Sequence, residues 1–401
     1  MMRTTLKLIG LGVALGLLAL FIAAGNNGKV GLGQSCSVTL NPGQSIQNAI
    51  DSVSAGAVIC LAEGIWQENL IITKDDLLLR GEGPSRTIVS GSFLIQVAGQ
   101  FTVEGLTLQS SVAGTAPAGM VLIPAGSFQM GDSFNEGYPS ERPVHTVYVS
   151  AFYMDKYEIT KALWDEVASW AEANGYDIGP EDGSGKGPDH PVYYVNWYEA
   201  VKWANARSEK EGLTPAYYTD SSQTTVYRRG EVDVPIEGVK WNANGYRLPT
   251  EAEWEKAARG GCVGHRFPWC DTDTIQHSRA NYDSSSSYSY DTSPTRGYHP
   301  DYDTGDYPYT SPVGSFAPNG SGLYDMAGDV WEWVWDWYDR DYYSVSPGSD
   351  PRGPVSGSSR VGRGGSWNDY AFGCRAADRY DHEPAYSSSP IGFRVVRPAG
   401  Q

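Results

Sequence analysis

The stretch Gly322–Asp336, GLYDMAGDVWEWVWD, constrains the fold more than any other part of the chain. In an extended backbone successive side chains point to opposite faces, so Trp331, Trp333 and Trp335 project together to one side. Each indole brings roughly 200 Å² of largely apolar surface, enough for the three to anchor a core. Asp325 and Glu332 flank Gly328 in the same span. Carboxylates so spaced around a glycine turn, with bare main-chain carbonyls between them, can close around a hard cation. Calcium accepts about six to eight oxygens from side chains and backbone alike. The spacing alone suits a turn glycine between two solvated acids equally well.

Forty-seven acidic against 30 basic residues give a net charge of −17 over 401 residues. Phosphate contacts need Lys and Arg, so no nucleic-acid partner is expected. An acidic surface suits solubility and divalent cations instead. Only 19% of residues are charged while Gly, Tyr and Trp are abundant, which describes an irregular, turn-rich globule rather than a helical bundle. Residues 1–25 combine a basic start (Arg3, Lys7), an apolar run from Leu8 to Ala24 and small residues at Ala23–Gly25. They read as a signal peptide, or as an apolar helix that is retained. Export to the cell surface or the extracellular medium also fits five cysteines. Two local bridges, Cys36 with Cys60 and Cys262 with Cys270, are the economical pairing and leave Cys374 over.

Residues 26–111 carry short β-branched runs (VICLAEG, LIITKDDLLLRGEG, TIVSG, FLIQVAG, FTVEGLTLQ) separated by turns, after a helix-like SIQNAIDSV. Strand triplets recurring at about 20 residues predict a short right-handed parallel β-solenoid, similar to the opening coils of pectate-lyase-type β-helix proteins. An uncapped solenoid end exposes strand edges that invite a second chain, unless the next domain covers them. Residues 112–118 form a linker and 119–401 a large domain. The large domain has three predicted helices: Thr160 to Gly175 with Leu163, Val167, Trp170 and Ala171 on one face, a second capped by Asn196, and a third with the capping box Thr250-x-x-Glu253.

Several ordered blocks resemble the formylglycine-generating enzymes and their non-enzymatic relatives. They are GMVLIPAGSFQMGD (119–132), FYMDKYEIT (152–160), HPVYYVNWYEA (190–200), YRLPTEAEWEKAARGG (246–261), the opening stretch, RGGSW (363–367) and IGFRVVR (391–397). The resemblance implies an α+β fold with little regular structure and a C-type-lectin-like topology. It also implies one or two calcium ions. One would be held by the Asp325 and Glu332 side chains with the Gly328 and Val330 carbonyls. The other would use Asn281, the Tyr282 carbonyl, Asp303 or Asp306, and the Tyr307 carbonyl, although Gly305-Asp306 replaces the family's Asp-Gly there. The family's oxidase chemistry needs two cysteine thiolates five residues apart to hold copper(I), a soft ion that soft ligands suit. Counting back from Gly392-Phe393-Arg394, those positions fall on Ala371 and Ala376, so no copper and no catalysis are expected.

The six histidines show no HExxH and no His-x3-His spacing, and Gly183–Gly187 is not a phosphate loop. Between RGGSW and IGFRVVR, Asn368, Asp369, Tyr370, Tyr380, His382 and Tyr386 form an adaptable contact set, or are loop aromatics packed on the core. Arg375 and Arg379 are expected to pair with buried acids. The chain therefore reads as an exported, calcium-stabilised, non-catalytic structural or interaction protein, partnered by copies of itself through the N-terminal region. The alternative is a surface module for a glycan or protein ligand, and an oxidase is the remote third reading.

Overall fold

The computed structural model describes residues 6–9, 35–42, 44–68, 70–83, 86–91, 93–95, 100–104, 106–110 and 116–399. Of the segment expected to be an apolar helix, only Leu6–Ile9 falls within them, and it is a strand. It runs antiparallel to Gln100–Glu104. Pairing satisfies edge N–H and C=O groups that an isolated helix would leave unpaired on that neighbour. The rest of the 1–25 expectation lies outside the described residues. The chain divides into two compact units, Met1–Thr115 with Pro124–Gly126, and Ala116–Ile123 with Ser127–Gln401.

In the first unit Val38–Leu40, Val58–Leu61, Leu77–Gly81 and Gln100–Glu104 are successive parallel neighbours in one sheet. Parallel neighbours need crossover connections, and here the intervening strands form parallel ladders of their own. Gly64–Gln67, Thr87–Gly91 and Thr107–Ser110 make one, and Leu70–Ile72 with Phe93–Ile95 the other. Ile59, Leu61, Leu77, Leu79 and Val89 fill the interior with Ile46 and Ile50 of the helix Ile46–Ser52. Glu68 closes the start of that helix by accepting from Ser45 Oγ and from the Ile46 and Gln47 amides. Cys36 and Cys60 are bridged, as are Cys262 and Cys270 in the second unit, and Cys374 is a free, buried thiol.

The second unit is built on the strand Trp331–Trp337. It lies in a four-stranded sheet between Arg360–Arg363 and Ile391–Gly392, with Tyr380–His382 beyond the former. All seven of its residues are buried. Trp331, Trp333 and Trp335 enter a core with Trp164, Trp197, Trp203 and Phe393. Val334 enters a second core with Trp254, Met326 and Val361. Both faces are therefore covered, so Glu332 and Asp336 need internal partners. The amide of Glu251 donates to Asp336 at 2.7 Å, and Arg394 pairs with Glu332. Arg375 and Arg379 also find acids, Glu141 at 2.6 Å and Glu251 at 2.6 Å.

The helices are Lys161–Ala173, Trp197–Lys210 and Glu251–Arg259, capped by Thr160, Asn196 and Thr250. The first presents the expected side to the core, but its centre lies elsewhere. Trp164, Val167, Ala168 and Ala171 are buried, whereas Leu163 and Trp170 are only partly so. Trp164 takes the central place because it stacks on Trp203 of the neighbouring helix, 6.2 Å between rings. Trp164→Ala should destabilise the protein by about 3–5 kcal/mol, and Leu163→Ala by less than about 2 kcal/mol, because cost follows buried volume. Chemical denaturation of the two variants would reverse the assignment of the face if Leu163→Ala proved the costlier.

Candidate metal centre and ligand face

The turn before the central strand is tightly specified. Asp325 and Asp329 both adopt left-handed backbone conformations, as does Gly328 between them. A Cβ on Gly328 would collide with the Asn281 carbonyl oxygen, so only glycine fits. That carbonyl accepts the Asp329 amide at 2.9 Å. The turn thereby draws together four buried side chains from three places in the chain: Glu158, Asn281, and its own Asp325 and Asp329.

Their oxygens are incompletely satisfied. Asp325 Oδ2 accepts the Gly314 amide at 2.6 Å, and Asp329 Oδ1 accepts the Ser311 amide at 2.8 Å and Asn281 Nδ2 at 3.1 Å. Asp325 Oδ1, Asp329 Oδ2, Glu158 Oε2 and Asn281 Oδ1 are buried with no hydrogen-bond partner. Buried carboxylate oxygens left bare are costly unless a proton or a cation meets them. Burial pushes Asp329 up to about 8, with the Asp325 charge adding to it, and pushes Asp325 up to about 6. Glu158 is raised well above the usual range by burial and then by Asp329 and Asp325. A hard divalent cation relieves all three. Among the described residues no three His, Cys, Asp or Glu side chains converge as a ready-made cage. A cation here would take its further oxygens from Asn281, main-chain carbonyls and water. A cavity of about 440 Å³, walled by Trp269, Arg279 and Asn319 and floored by Leu323, Asp325 and Met326, gives a route to Asp325.

The expected ligand sets are rearranged. Glu332 is committed elsewhere: Arg394 grips both its oxygens at 2.7 Å, and Trp254 Nε1 donates to Oε2 at 2.8 Å. Glu158 and Asp329 stand nearer the unmet charge, and sequence reasoning missed both. Asp329 was visible beside Gly328 in the turn, whereas nothing local marks Glu158. The second expected set is not brought together. Asn281 meets the Tyr309 carbonyl (2.8 Å) rather than that of Tyr307, and the Tyr282 carbonyl accepts His277 Nε2 at 3.1 Å. Asp303 and Asp306 are exposed, and the Asp306 carbonyl accepts Lys186 Nζ. The loop runs over the surface, where its acids are solvated instead of drawn to Asn281.

The segment after RGGSW packs partly and presents partly. Asp369 is not a surface contact, since Oδ2 accepts Trp331 Nε1 at 2.7 Å and the Ser366 hydroxyl. Asn368 accepts the Tyr298 hydroxyl at 3.2 Å. Tyr370, Tyr380 and Tyr386 are each about half exposed, and His382, half-buried, stacks on Tyr386. Ala371 and Ala376 are fully buried, the former beside Cys374. At a five-residue spacing the structure sets Asp369 and Cys374, a carboxylate and a thiol. Burial pushes the Cys374 thiol well up, with Asp369 adding to it, so it stays protonated.

A sequence profile described as the Sulfatase-modifying factor enzyme 1-like domain matches residues 107–399. The chain is 36% identical to the formylglycine-generating enzyme of Streptomyces coelicolor over 296 residues, covering 70% of this chain and 90% of that one. Among solved structures it is similar to Treponema denticola variable protein 1, with TM-score 0.53, 31% identity and coverage of 70% and 94% of the two chains. It is also similar to CarF, with TM-score 0.50, 29% identity and coverage of 70% and 97%.

Carboxylates held above their ordinary range keep protons that the unfolded chain has released. Each therefore costs the metal-free protein stability as pH rises from about 4 through its folded value of about 6 or about 8. A cation bound there would replace those protons. Calcium should therefore raise the unfolding temperature, relative to chelated protein, more at about pH 8 than at about pH 5. Asp325→Asn combined with Asp329→Asn should remove that difference. Equal calcium effects at the two pH values would rule these carboxylates out as the binding groups.

Proposed function

The chain belongs to the formylglycine-generating enzyme family, and from that premise we propose a non-catalytic, calcium-stabilised interaction protein acting at the cell surface or outside the cell. The cysteine inventory carries this reading. Of five cysteines, four are in bridges, and the fifth, Cys374, is a buried thiol whose pKa is pushed up. Copper(I) chemistry of the family's kind needs two thiolates, and this chain has one free thiol. The unpartnered oxygens of Asp325, Asp329, Glu158 and Asn281 support one calcium ion or two in a structural role.

Assembly of copies is the proposed outlet of the N-terminal region. Its consecutive parallel ladders support reading residues 26–111 as coils of a short solenoid, whose outer strand Val38–Leu40 has one sheet neighbour among the described residues. The second reading is a ligand-binding module for a glycan or a protein, favoured by the half-exposed Tyr370, Tyr380 and Tyr386.

Incubation with copper(I), oxygen and a cysteine-containing peptide is expected to yield no aldehyde by mass spectrometry, and its appearance would overturn the non-catalytic reading. Electron microscopy of the protein should show regular polymers that disappear when residues 1–111 are removed. Polymers that survive the truncation would exclude the N-terminal assembly surface.

A further inference from the structure

Tyrosine exposure is concentrated on one face. Tyr307 meets Ser389 Oγ through its hydroxyl at 2.8 Å and Trp367 edge-on at 4.9 Å. Two residues beyond Trp367, Asp369 accepts Trp331 Nε1, and Trp331 stacks on Tyr380 with 5.3 Å between rings. Tyr380 meets His382 at 4.6 Å, and His382 stacks on Tyr386 at 4.6 Å with 14° between planes. Tyr386 lies three residues before Ser389, so the two strings of contacts meet in one short segment of chain. Tyr307, Tyr380 and Tyr386 expose 60%, 46% and 45% of their surface on it, and Tyr370 flanks it at 50%.

The charge on this face is predominantly negative. The segments 298–309, 364–374 and 380–393 contain no Lys or Arg, yet carry the exposed acids Asp301, Asp303, Asp306, Asp381 and Glu383. Lys186 reaches the rim from outside, and its ammonium is held by Thr304 Oγ1 and the Asp306 carbonyl. Burial pushes His382 down to about 4, so it adds no positive charge. Exposed phenol rings attract guanidinium and ammonium groups over their faces. An acidic rim steers cationic partners in and repels anionic polymers. A neutral saccharide could use the rings but would gain nothing from the net charge.

We propose that this face, centred on Tyr380 and Tyr386 and rimmed by Asp381 and Glu383, binds a lysine- or arginine-rich segment of a partner protein. The inference rests on the reading of the 364–393 loops as a ligand face and names the class of ligand they take. The full-length protein would be titrated by calorimetry with a short synthetic peptide of alternating arginine and glycine, and screened in parallel on an array of neutral oligosaccharides. Saturable peptide binding is expected, weakened about tenfold by Tyr380→Ala with Tyr386→Ala, and similarly by Asp381→Asn with Glu383→Gln. The exposed pair Glu172→Gln with Glu237→Gln removes the same charge elsewhere and should leave the affinity within about twofold.

Equal loss in that control pair would overturn the proposal by showing attraction to net charge alone. Saccharide binding that depends on Tyr380 and Tyr386, with no peptide bound, would overturn the ligand class while leaving the face itself in place. No tyrosine-dependent binding of either probe would overturn the face as well.

Discussion

Arg394 gripping Glu332 is the interaction on which the large unit depends. Both side chains are fully buried, and each oxygen of Glu332 takes one guanidinium nitrogen. The same arginine donates to the carbonyls of Asp155, Lys156 and Tyr324. One cation thus ties the central strand to the strand Phe152–Asp155, to the acidic turn and to the C-terminal segment. Removing either partner would leave a charge buried with nothing opposite, a defect that costs about 3–5 kcal/mol.

That commitment has a consequence next door. Because Arg394 is spent on Glu332 and on carbonyls, the acids of the adjoining turn have too little positive charge facing them. Glu158, Asp325 and Asp329 lie close together, and burial raises all three. A cation there would do for the turn what Arg394 does for the strand, and would hold together loops that have little regular structure to stiffen them. The cohesion of this domain comes from tryptophans, arginine–carboxylate pairs and this turn. None of these needs a thiolate.

The loops around Trp331 and Trp367 have a different economy. Their inner residues are hydrogen-bonded to the core, as Asp369 is to Trp331, and their outer tyrosines are left half in water. Rigid backs and exposed rings lower the entropy lost on binding, since a phenol has few torsions to freeze.

Local chemistry determined a good deal of this. Alternating tryptophans announced a buried strand, Thr160, Asn196 and Thr250 announced helix starts, and cysteine spacing announced two bridges, because each signal acts over a few neighbouring residues. Periodicity placed the first helix and its core side but missed the residue at the centre of that side. Trp164 is central only because Trp203 arrives from another helix. The candidate metal centre was legible at Asp325 and Gly328, which share one turn. That Glu332 belongs to Arg394, and that Glu158 belongs with Asp329, was settled by tertiary structure alone. Competition for a single buried cation is decided by which side chains meet in space, and no spacing along the chain records that meeting.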